Sequence, residues 1–282
     1  MIAAQQKDSR LLTDVLASPE PALWWLGQSG FLLRVGRHFA IIDPYLSDSL
    51  THKYAGTGRP HVRMTERCVD PAQLGFVTLA LSTHGHTDHF DRETLRSIAA
   101  ADNRTEPLRL ILPAANLERG RAMLAGLDVQ LIGVKSGQQV SAPGFTVTAL
   151  PAAHPDLACD AAGNDLYLGY AINVAGWRIY HSGDTLWHET VVRQAAAVPP
   201  DLALLPINGN DPSRGVAGNL NGEEAAHLAN AIGARVAIPH HYDMFEFNTA
   251  SPEAFERHCR ELGVRHHRLA CGQRFDLADL RL

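Results

Sequence analysis

Residues 82–91, STHGHTDHFD, carry three histidines and two aspartates within ten residues. They directly follow an apolar segment, residues 76–81, whose pattern predicts a buried strand. His84, His86 and Asp88 occupy alternate positions, so in an extended backbone their side chains project to one side. Imidazole nitrogen and carboxylate oxygen are suitable ligands for zinc, manganese or iron. The stretch therefore predicts a metal site, without distinguishing metal storage from catalysis.

Three further polar side chains each follow a predicted strand later in the chain. They are His154 in LPAAHPD, Asp184 in YHSGDT and His241 in IPHHYD. Taken singly each signal is weak, because a histidine after a strand is more often a hydrogen-bonded loop residue. Together they repeat one geometry, in which polar ligands gather at one edge of a β-sandwich and form a preorganised site.

The surrounding sequence predicts the elements that would position these side chains. Residues 22–42 have the pattern of an antiparallel meander with glycine and proline at its corners. Alternating strands and helices follow over residues 76–132. A second β pattern over residues 144–180 again leads into strand–helix units. Two β-rich halves with helices outside predict a four-layer αββα sandwich of the α/β (α+β) class.

Two helix starts and one long loop are also marked by their residues. Asn221 is predicted to cap one helix, and Ser251 is predicted to cap another whose first residue is Pro252. Residues 46–70 lack periodicity, and loops of that length within a compact domain are usually functional or disordered. We expect residues 1–282 to form a single domain, with this excursion near the active site.

Composition argues against several classes of function. The net charge is −5, with 45% hydrophobic and 20% charged residues, and no basic stripe supports nucleic acid as a partner. The chain has no apolar run of membrane-spanning length and no signal-peptide pattern, which predicts a soluble cytoplasmic protein without a membrane partner. Its four cysteines have no C-x-x-C spacing, so free thiols are expected.

The motif HGHTDH, followed by the three later residues at strand ends, resembles the metallo-β-lactamase superfamily over about residues 22–275. The resemblance implies a hydrolase domain with an αββα fold and two metal ions at the edge of the sandwich. It assigns three residues to each metal ion and one carboxylate to both: His84, His86 and His154; Asp88, His89 and His241; and Asp184 as the bridge. His240 is the alternative to its neighbour His241, which the family spacing favours.

Two details narrow the resemblance. Redox diiron members place glutamate where this chain has His86, which favours hydrolysis over electron transfer. The segments DPYLSDSLTHKYAG, LPINGNDPSRGVAGNL and IPHHYDMFEFNT resemble the L-ascorbate-6-phosphate lactonase group. That likeness implies a carboxylic ester hydrolase that opens the lactone of a phosphorylated sugar acid, and it implies a homo-oligomer.

Two divalent ions, Mn²⁺ or Zn²⁺, would lower the pKa of a shared water and supply metal-bound hydroxide for attack on the ester carbonyl. One ion would also stabilise the tetrahedral oxyanion. The expected catalytic residues are His86, Asp88 and Asp184, and the second oxygen of Asp88 would orient the water or pass a proton to the leaving alkoxide. No G-x-S-x-G stretch, and no cysteine near a base in sequence, indicates a protein nucleophile.

Contact with a small anionic substrate is predicted mainly for residues 208–216. Asn208 and Asn210 would bond sugar hydroxyls, and Arg214 would hold a phosphate or carboxylate, although a solvated turn with one arginine is the alternative. Tyr242 is expected beside the site, against substrate or a ligand histidine.

Other groups are expected to support the cavity. Four residues of the excursion would cap the cavity or supply positive charge: Lys53, Tyr54, Arg59 and His61. The alternative is that they lie at the surface or at a subunit interface. His181 and His188 would hydrogen-bond to ligand residues.

Two other functions are compatible with such a site. A phosphodiesterase or nuclease on the same scaffold would need a basic substrate track, which the sequence lacks. A non-enzymatic metal or ligand sensor would be indicated by missing ligands, and here every ligand position is filled.

Overall fold

The computed structural model describes residues 1–19 and 21–281. The helices are α1 Asp8–Ala17, α2 Ser49–Lys53, α3 Arg92–Ala99, α4 Leu117–Met123, α5 Glu189–Ala196, α6 Gly222–Ala231 and α7 Glu253–Leu262. The strands are β1 Ala22–Gly27, β2 Gly30–Val35, β3 His38–Ile42, β4 Leu79–Leu81, β5 Leu108–Pro113, β6 Val129–Val134, β7 Gln139–Ala142, β8 Phe145–Pro151, β9 Leu168–Val174, β10 Trp177–His181, β11 Leu202–Pro206, β12 Val236–His240, β13 Arg265–His266 and β14 Arg274–Asp276.

Two seven-stranded sheets form the centre of the fold. Their strand orders are β14-β1-β2-β3-β4-β5-β6 and β13-β12-β11-β10-β9-β8-β7. In each sheet an antiparallel meander continues into parallel strands, from β3 to β6 in the first and from β10 to β13 in the second. The αββα sandwich predicted from the sequence is confirmed.

Alternation along the strands gives the first sheet two buried faces. Trp25 and Phe31 belong to the core between the sheets, whereas Trp24 and Leu32 pack on the outer face with helical residues such as Leu95. Successive strand residues point to opposite faces, so adjacent tryptophans enter different layers. Burying a large apolar side chain contributes about 1.5–3 kcal/mol, which makes these two cores the main source of stability.

The excursion over residues 46–70 is held against the rest of the fold by polar contacts. It contains α2, and Ser49 Oγ donates to Asp91 Oδ1 at 2.9 Å. Thr51 Oγ1 donates to the His61 carbonyl at 2.7 Å, and Arg63 forms an antiparallel bridge with Phe245. A segment without sequence periodicity is thus ordered by hydrogen bonds to its neighbours.

Two local predictions have different outcomes. Asn221 caps α6 in a reciprocal capping box with Glu224, as predicted. The second helix begins at Glu253, one residue later than predicted, and Pro252 occupies the position before it. Ser251 Oγ still accepts a hydrogen bond from the Glu253 N–H at 3.3 Å. Within residues 1–19 and 21–281, no helix combines the length and apolar character needed to cross a bilayer.

The capping box is expected to contribute measurably to the free energy of unfolding. Asn221 Oδ1 accepts from the Glu224 N–H at 2.9 Å, so Asn221→Ala should lower the free energy of unfolding by about 1 kcal/mol in urea denaturation. Asn230→Ala, at the exposed end of the same helix, is the matched control and should be neutral within roughly 0.5 kcal/mol. Equal losses in both variants would contradict a specific role of the cap.

Candidate metal centre

The predicted ligands lie in loops at one edge of the sandwich. Residues 84–89 follow β4, and His154, Asp184 and His241 follow β8, β10 and β12. Within the second sheet, β8, β10 and β12 run in the same direction, because β8 and β10 are both antiparallel to β9, and β10, β11 and β12 are parallel. The loops of the two sheets are joined there by a hydrogen bond from the Leu168 N–H to the Thr83 carbonyl at 3.0 Å.

Side-chain atoms of these loops converge into three overlapping groups. Within each group the candidate ligand atoms lie within 4.8 Å of one another: His84, His86 and His154; His84, His89 and Asp184; and Asp88, His89 and His241.

Asp184 lies between these groups. Its Oδ1 is 3.2 Å from His89 Nε2, and its Oδ2 is 3.4 Å from His241 Nε2 and 3.7 Å from His154 Nε2. A single carboxylate thus reaches histidines from three different loops. The bridging role that the family resemblance implies for Asp184 stays a prediction.

The donor set fits divalent cations. His89 Nε2 and Asp184 Oδ1 are buried and lie 3.2 Å apart without the alignment of a hydrogen bond, and neither has another hydrogen-bond partner among the described residues. A buried polar atom without a partner costs about 1–3 kcal/mol, which a coordinated cation would offset. Nitrogen and oxygen atoms at this spacing are the ligands that zinc, manganese and iron accept. The clusters are therefore capable of binding metal.

Electrostatics keep two histidines of the site in the neutral form. Burial holds the pKa of His84 well below its ordinary value and lowers the pKa of His154 to about 4. Neutral imidazole is the form that binds a metal.

His89 differs from its neighbours. Burial alone would lower its pKa, but the carboxylates of Asp184, Asp88 and Asp43 outweigh burial and raise the pKa well above the ordinary value. A metal ion bound to His89 would have to displace that proton.

The ligand side chains are oriented by groups behind them. His89 Nδ1 lies 2.7 Å from Asp43 Oδ2, His154 Nδ1 lies 2.9 Å from the Gly218 carbonyl, and Gln28 Nε2 donates to Asp88 Oδ2 at 2.8 Å. Such contacts fix ring orientation and tautomer. Gln28 and Asp43 were not predicted from the sequence, although Asp43, in a DP turn after a predicted strand, carried a weak signal.

Three residues of the candidate metal centre have an unusual backbone conformation. Gln28, Asp43 and His241 have φ angles of 50°, 42° and 63°, in the left-handed region. Such conformations cost about 1–3 kcal/mol each and persist only where the surrounding structure enforces them. The backbone of Gly183, next to Asp184, is also closely approached, since a Cβ on Gly183 would lie 2.7 Å from the Leu168 carbonyl oxygen. Glycine is therefore required before Asp184.

The adjacent histidines have different surroundings. His241 faces the cluster, whereas His240 lies behind it, with Nδ1 3.1 Å from Ser29 Oγ and its ring stacked on His181. His181 Nδ1 accepts from the Gly183 N–H at 3.0 Å, so it supports the loop before Asp184. The expectation for His188 is corrected, because it caps α5 and accepts from the Thr190 N–H.

A cavity of about 390 Å³ opens beside the cluster. Its lining includes Lys53, Tyr54 and His61, three of the four excursion residues for which the sequence left both the cavity and the surface open. Arg59 lies outside the lining and donates to the Gly215 carbonyl at 3.0 Å. The remaining lining comes from several loops, α2 and α4: Leu50, Gly85, His86, Thr87, Asp88, Arg119, His154, Asp184, Val216, Ala217, His241, Phe245, Phe247 and Asn248.

Two predicted substrate residues lie outside the cavity lining and are engaged in protein contacts. Asn208 is buried, with its amide donating to Asn248 Oδ1 at 2.9 Å and its oxygen accepting from Asn219 at 3.0 Å. Arg214 donates to Asn248 Oδ1 and to the Thr249 carbonyl, both at 3.2 Å. The expectation of direct contact is therefore corrected, since these donors hold the loop against residues 248–249.

The other two predicted substrate residues also lie outside the cavity lining. Asn210 is exposed. Tyr242 is buried, stacks on Trp25 at 4.6 Å, and donates its hydroxyl hydrogen to the Leu269 carbonyl. Arg119 and Asn248, which do line the cavity, were missed because no local pattern marks them.

The contact between Asp43 and His89 predicts an effect on metal affinity. Asp43 also accepts from the Thr83 N–H at 2.8 Å, so an amide at this position would face a donor with its own NH₂ group. Asp43→Asn should therefore weaken metal binding roughly 10- to 100-fold, measured by competition with a chromogenic chelator. Asp102→Asn, an exposed control, should leave the affinity within about twofold. Unchanged affinity in a folded Asp43→Asn protein would refute the orienting role.

Comparisons with known proteins identify the family. Residues 40–242 match the Beta-lactamase superfamily domain. A UPF0173 metal-dependent hydrolase of Alkaliphilus metalliredigens is 31% identical over 238 residues, covering 82% of this chain and 90% of its own length. Another from Rubrobacter xylanophilus is 29% identical over 256 residues, covering 85% and 89%.

Solved structures share the fold at lower identity. The metallo hydrolase Igni18 from Ignicoccus hospitalis has a TM-score of 0.65 at 21% identity, covering 91% of this chain and 99% of its own. An isothiocyanate hydrolase from Delia radicum gut bacteria has a TM-score of 0.70 at 18% identity, with the same coverage of 91% and 99%. The superfamily predicted from the sequence is confirmed: the chain belongs to the metallo-β-lactamase superfamily, as a metal-dependent hydrolase related to the UPF0173 group.

Proposed function

We propose that this metal-dependent hydrolase opens the lactone of a phosphorylated sugar acid, similar to L-ascorbate 6-phosphate, with two divalent ions, Mn²⁺ or Zn²⁺. The observation that carries the proposal is the convergence of the histidine and aspartate side chains on Asp184, beside a cavity of about 390 Å³. A cavity of this size suits a small molecule. The likeness of three segments to lactonases supports the substrate class and a homo-oligomer, and we propose a cytoplasmic location.

The proposed ligand assignment follows the spacing within the cluster. His84, His86 and His154 would hold one ion, and the second ion would be held by the other group: Asp88, His89 and His241. Asp184 is assigned to both, because its two oxygens face histidines of different groups.

Divalent ions bound there would act as Lewis acids on an ester carbonyl and lower the pKa of water, supplying the nucleophile. The protein's own part is to orient the reacting groups and move a proton. Asp88 lines the cavity; its Oδ2 is held by Gln28, while its Oδ1 makes no hydrogen bond among the described residues. We assign this oxygen to orienting the water and delivering its proton to the leaving alkoxide.

Phosphodiester cleavage is the alternative on the same site. Two cations in the cavity wall, Lys53 and Arg119, favour a phosphate-containing substrate. The overall charge of −5 disfavours a polymeric nucleic acid. A comparison of 6-phospho-δ-gluconolactone with bis-p-nitrophenyl phosphate separates the two functions, and faster turnover of the phosphodiester would reverse the assignment.

The proposal predicts loss of activity when a ligand is removed. The His86→Ala and Asp184→Ala variants should lose at least about 100-fold in kcat/KM for a lactone, since even outer contacts of a metal ligand are worth roughly 10- to 100-fold. Steady-state hydrolysis by the metal-loaded protein and metal content by atomic emission are the measurements. His227→Ala, an exposed histidine on α6, is the control and should retain turnover and metal. Normal lactone turnover in either folded ligand variant would refute the proposal.

A further inference from the structure

The acidic side chains that line the cavity have charged partners, whereas the lysine and arginine side chains do not. Its two carboxylates, Asp88 and Asp184, lie within 4 Å of the histidines of the cluster. Its two permanent cations, Lys53 and Arg119, form no ion pair with any described carboxylate. With divalent ions bound, the cavity would be strongly positive, and an anionic group would be attracted to these two side chains.

Arg119 is positioned beside the candidate metal loop. It extends from α4, and its guanidinium carbon lies 5.4 Å from the centroid of the Phe90 ring. One guanidinium nitrogen donates to the carbonyl of Gly85, the residue between His84 and His86. A guanidinium carries five N–H donors, so most of them remain available for a ligand. The contact with Gly85 fixes the side chain in advance of binding.

Lys53 lies in the part of the wall formed by the excursion. Its ammonium nitrogen is 5.1 Å from the centroid of the Tyr54 ring, and Tyr54 stacks on His61 with centroids 4.2 Å apart. The His61 ring in turn packs edge-on against Phe247 at 4.5 Å. A cation thus lies beside an aromatic wall that suits the flat face of a ring.

Arg214, the cation favoured by the sequence, is not available for this purpose. Its guanidinium donates to the Asn208 carbonyl, to Asn248 Oδ1 and to the Thr249 carbonyl. Replacing these contacts with a ligand would take a donor away from three acceptors, one of which is the carbonyl of the buried Asn208. The loop contributes the uncharged residues Val216 and Ala217 to the lining instead.

We propose that Lys53 and Arg119 together bind the anionic group of the substrate, a phosphate or a carboxylate, while its ring lies against Tyr54, His61 and Phe247. This inference rests on the proposed function for the position of the scissile ester. Charge-assisted hydrogen bonds to the two cations would make the enzyme prefer an anionic ester over its neutral counterpart.

Matched substrate pairs test the preference on the metal-loaded, full-length protein. The phosphate pair is 6-phospho-δ-gluconolactone and δ-gluconolactone, and the carboxylate pair is mono-p-nitrophenyl glutarate and p-nitrophenyl butyrate. For Lys53→Gln and for Arg119→Gln, the ratio of kcat/KM between the anionic and neutral members should fall by about tenfold or more. The substrate pair whose ratio falls more shows whether the site prefers a phosphate or a carboxylate. Arg119→Lys should recover part of the ratio, because it retains the charge and loses the fork geometry.

Arg92→Gln is the matched control, because Arg92 is an exposed cation close to the cavity but outside its lining. It should leave the ratio within about twofold. Metal content is measured in every variant. If Arg119→Gln loses metal, its metal loop is disturbed, and the ratio in Lys53→Gln alone then tests the inference. An equal fall in Arg92→Gln, or an unchanged ratio in both cavity variants, would overturn the inference.

Calorimetric titration with glucose 6-phosphate, with glucose as its neutral partner, gives a readout that does not need turnover. The Kd for the phosphate should rise about tenfold in Lys53→Gln and Arg119→Gln and stay constant in Arg92→Gln. If the wild-type protein hydrolyses neither pair, the proposed function fails while this titration still tests the anion site. If it hydrolyses both members of a pair equally well and binds glucose 6-phosphate no better than glucose, the anion site fails.

Discussion

The buried carboxylate of Asp184 is the constraint on which the rest of the site depends. Asp184 is 4% exposed, and burial alone would favour its neutral form. The neighbouring His89 and His241 outweigh burial and hold its pKa well below the ordinary value. Each of these histidines belongs to a different loop. Since an ionised carboxylate is not stable in the interior without such partners, loops from both sheets have to meet at this point.

Hydrogen bonds between the sheets keep those loops in register. The His241 N–H donates to the Gln28 carbonyl at 2.9 Å, which ties the second sheet to the first. The same carbonyl accepts from Trp25 Nε1 at 3.0 Å, so a core residue anchors the turn. Both Gln28 and His241 have left-handed backbone conformations. The cores on either side of the first sheet supply the stability that offsets this local strain.

The candidate metal ligands and the opposite wall of the cavity have separate structural origins. The candidate ligands follow strands of the sandwich, whose pairing fixes their positions. The opposite wall comes from the excursion, from α4 and from residues 245–248, which lie outside the two sheets. Loops on a rigid scaffold can change without altering the fold, so family membership fixes the metal chemistry more closely than the substrate. Lys53 and Arg119 belong to this wall.

The sequence by itself determined the ligand residue types, the strands before them and the cap at Asn221, because these depend on local pattern. It also predicted the sandwich, since a repeated order of meander and strand–helix units allows few architectures. Tertiary structure alone decided which donors remain free. Arg214 looked available in sequence, yet nearby carbonyls and an amide oxygen use its donors. Arg119 carried no local signal and reaches the cavity only because α4 packs beside Gly85. Hydrogen-bond saturation depends on residues distant in the chain, which pattern cannot reveal.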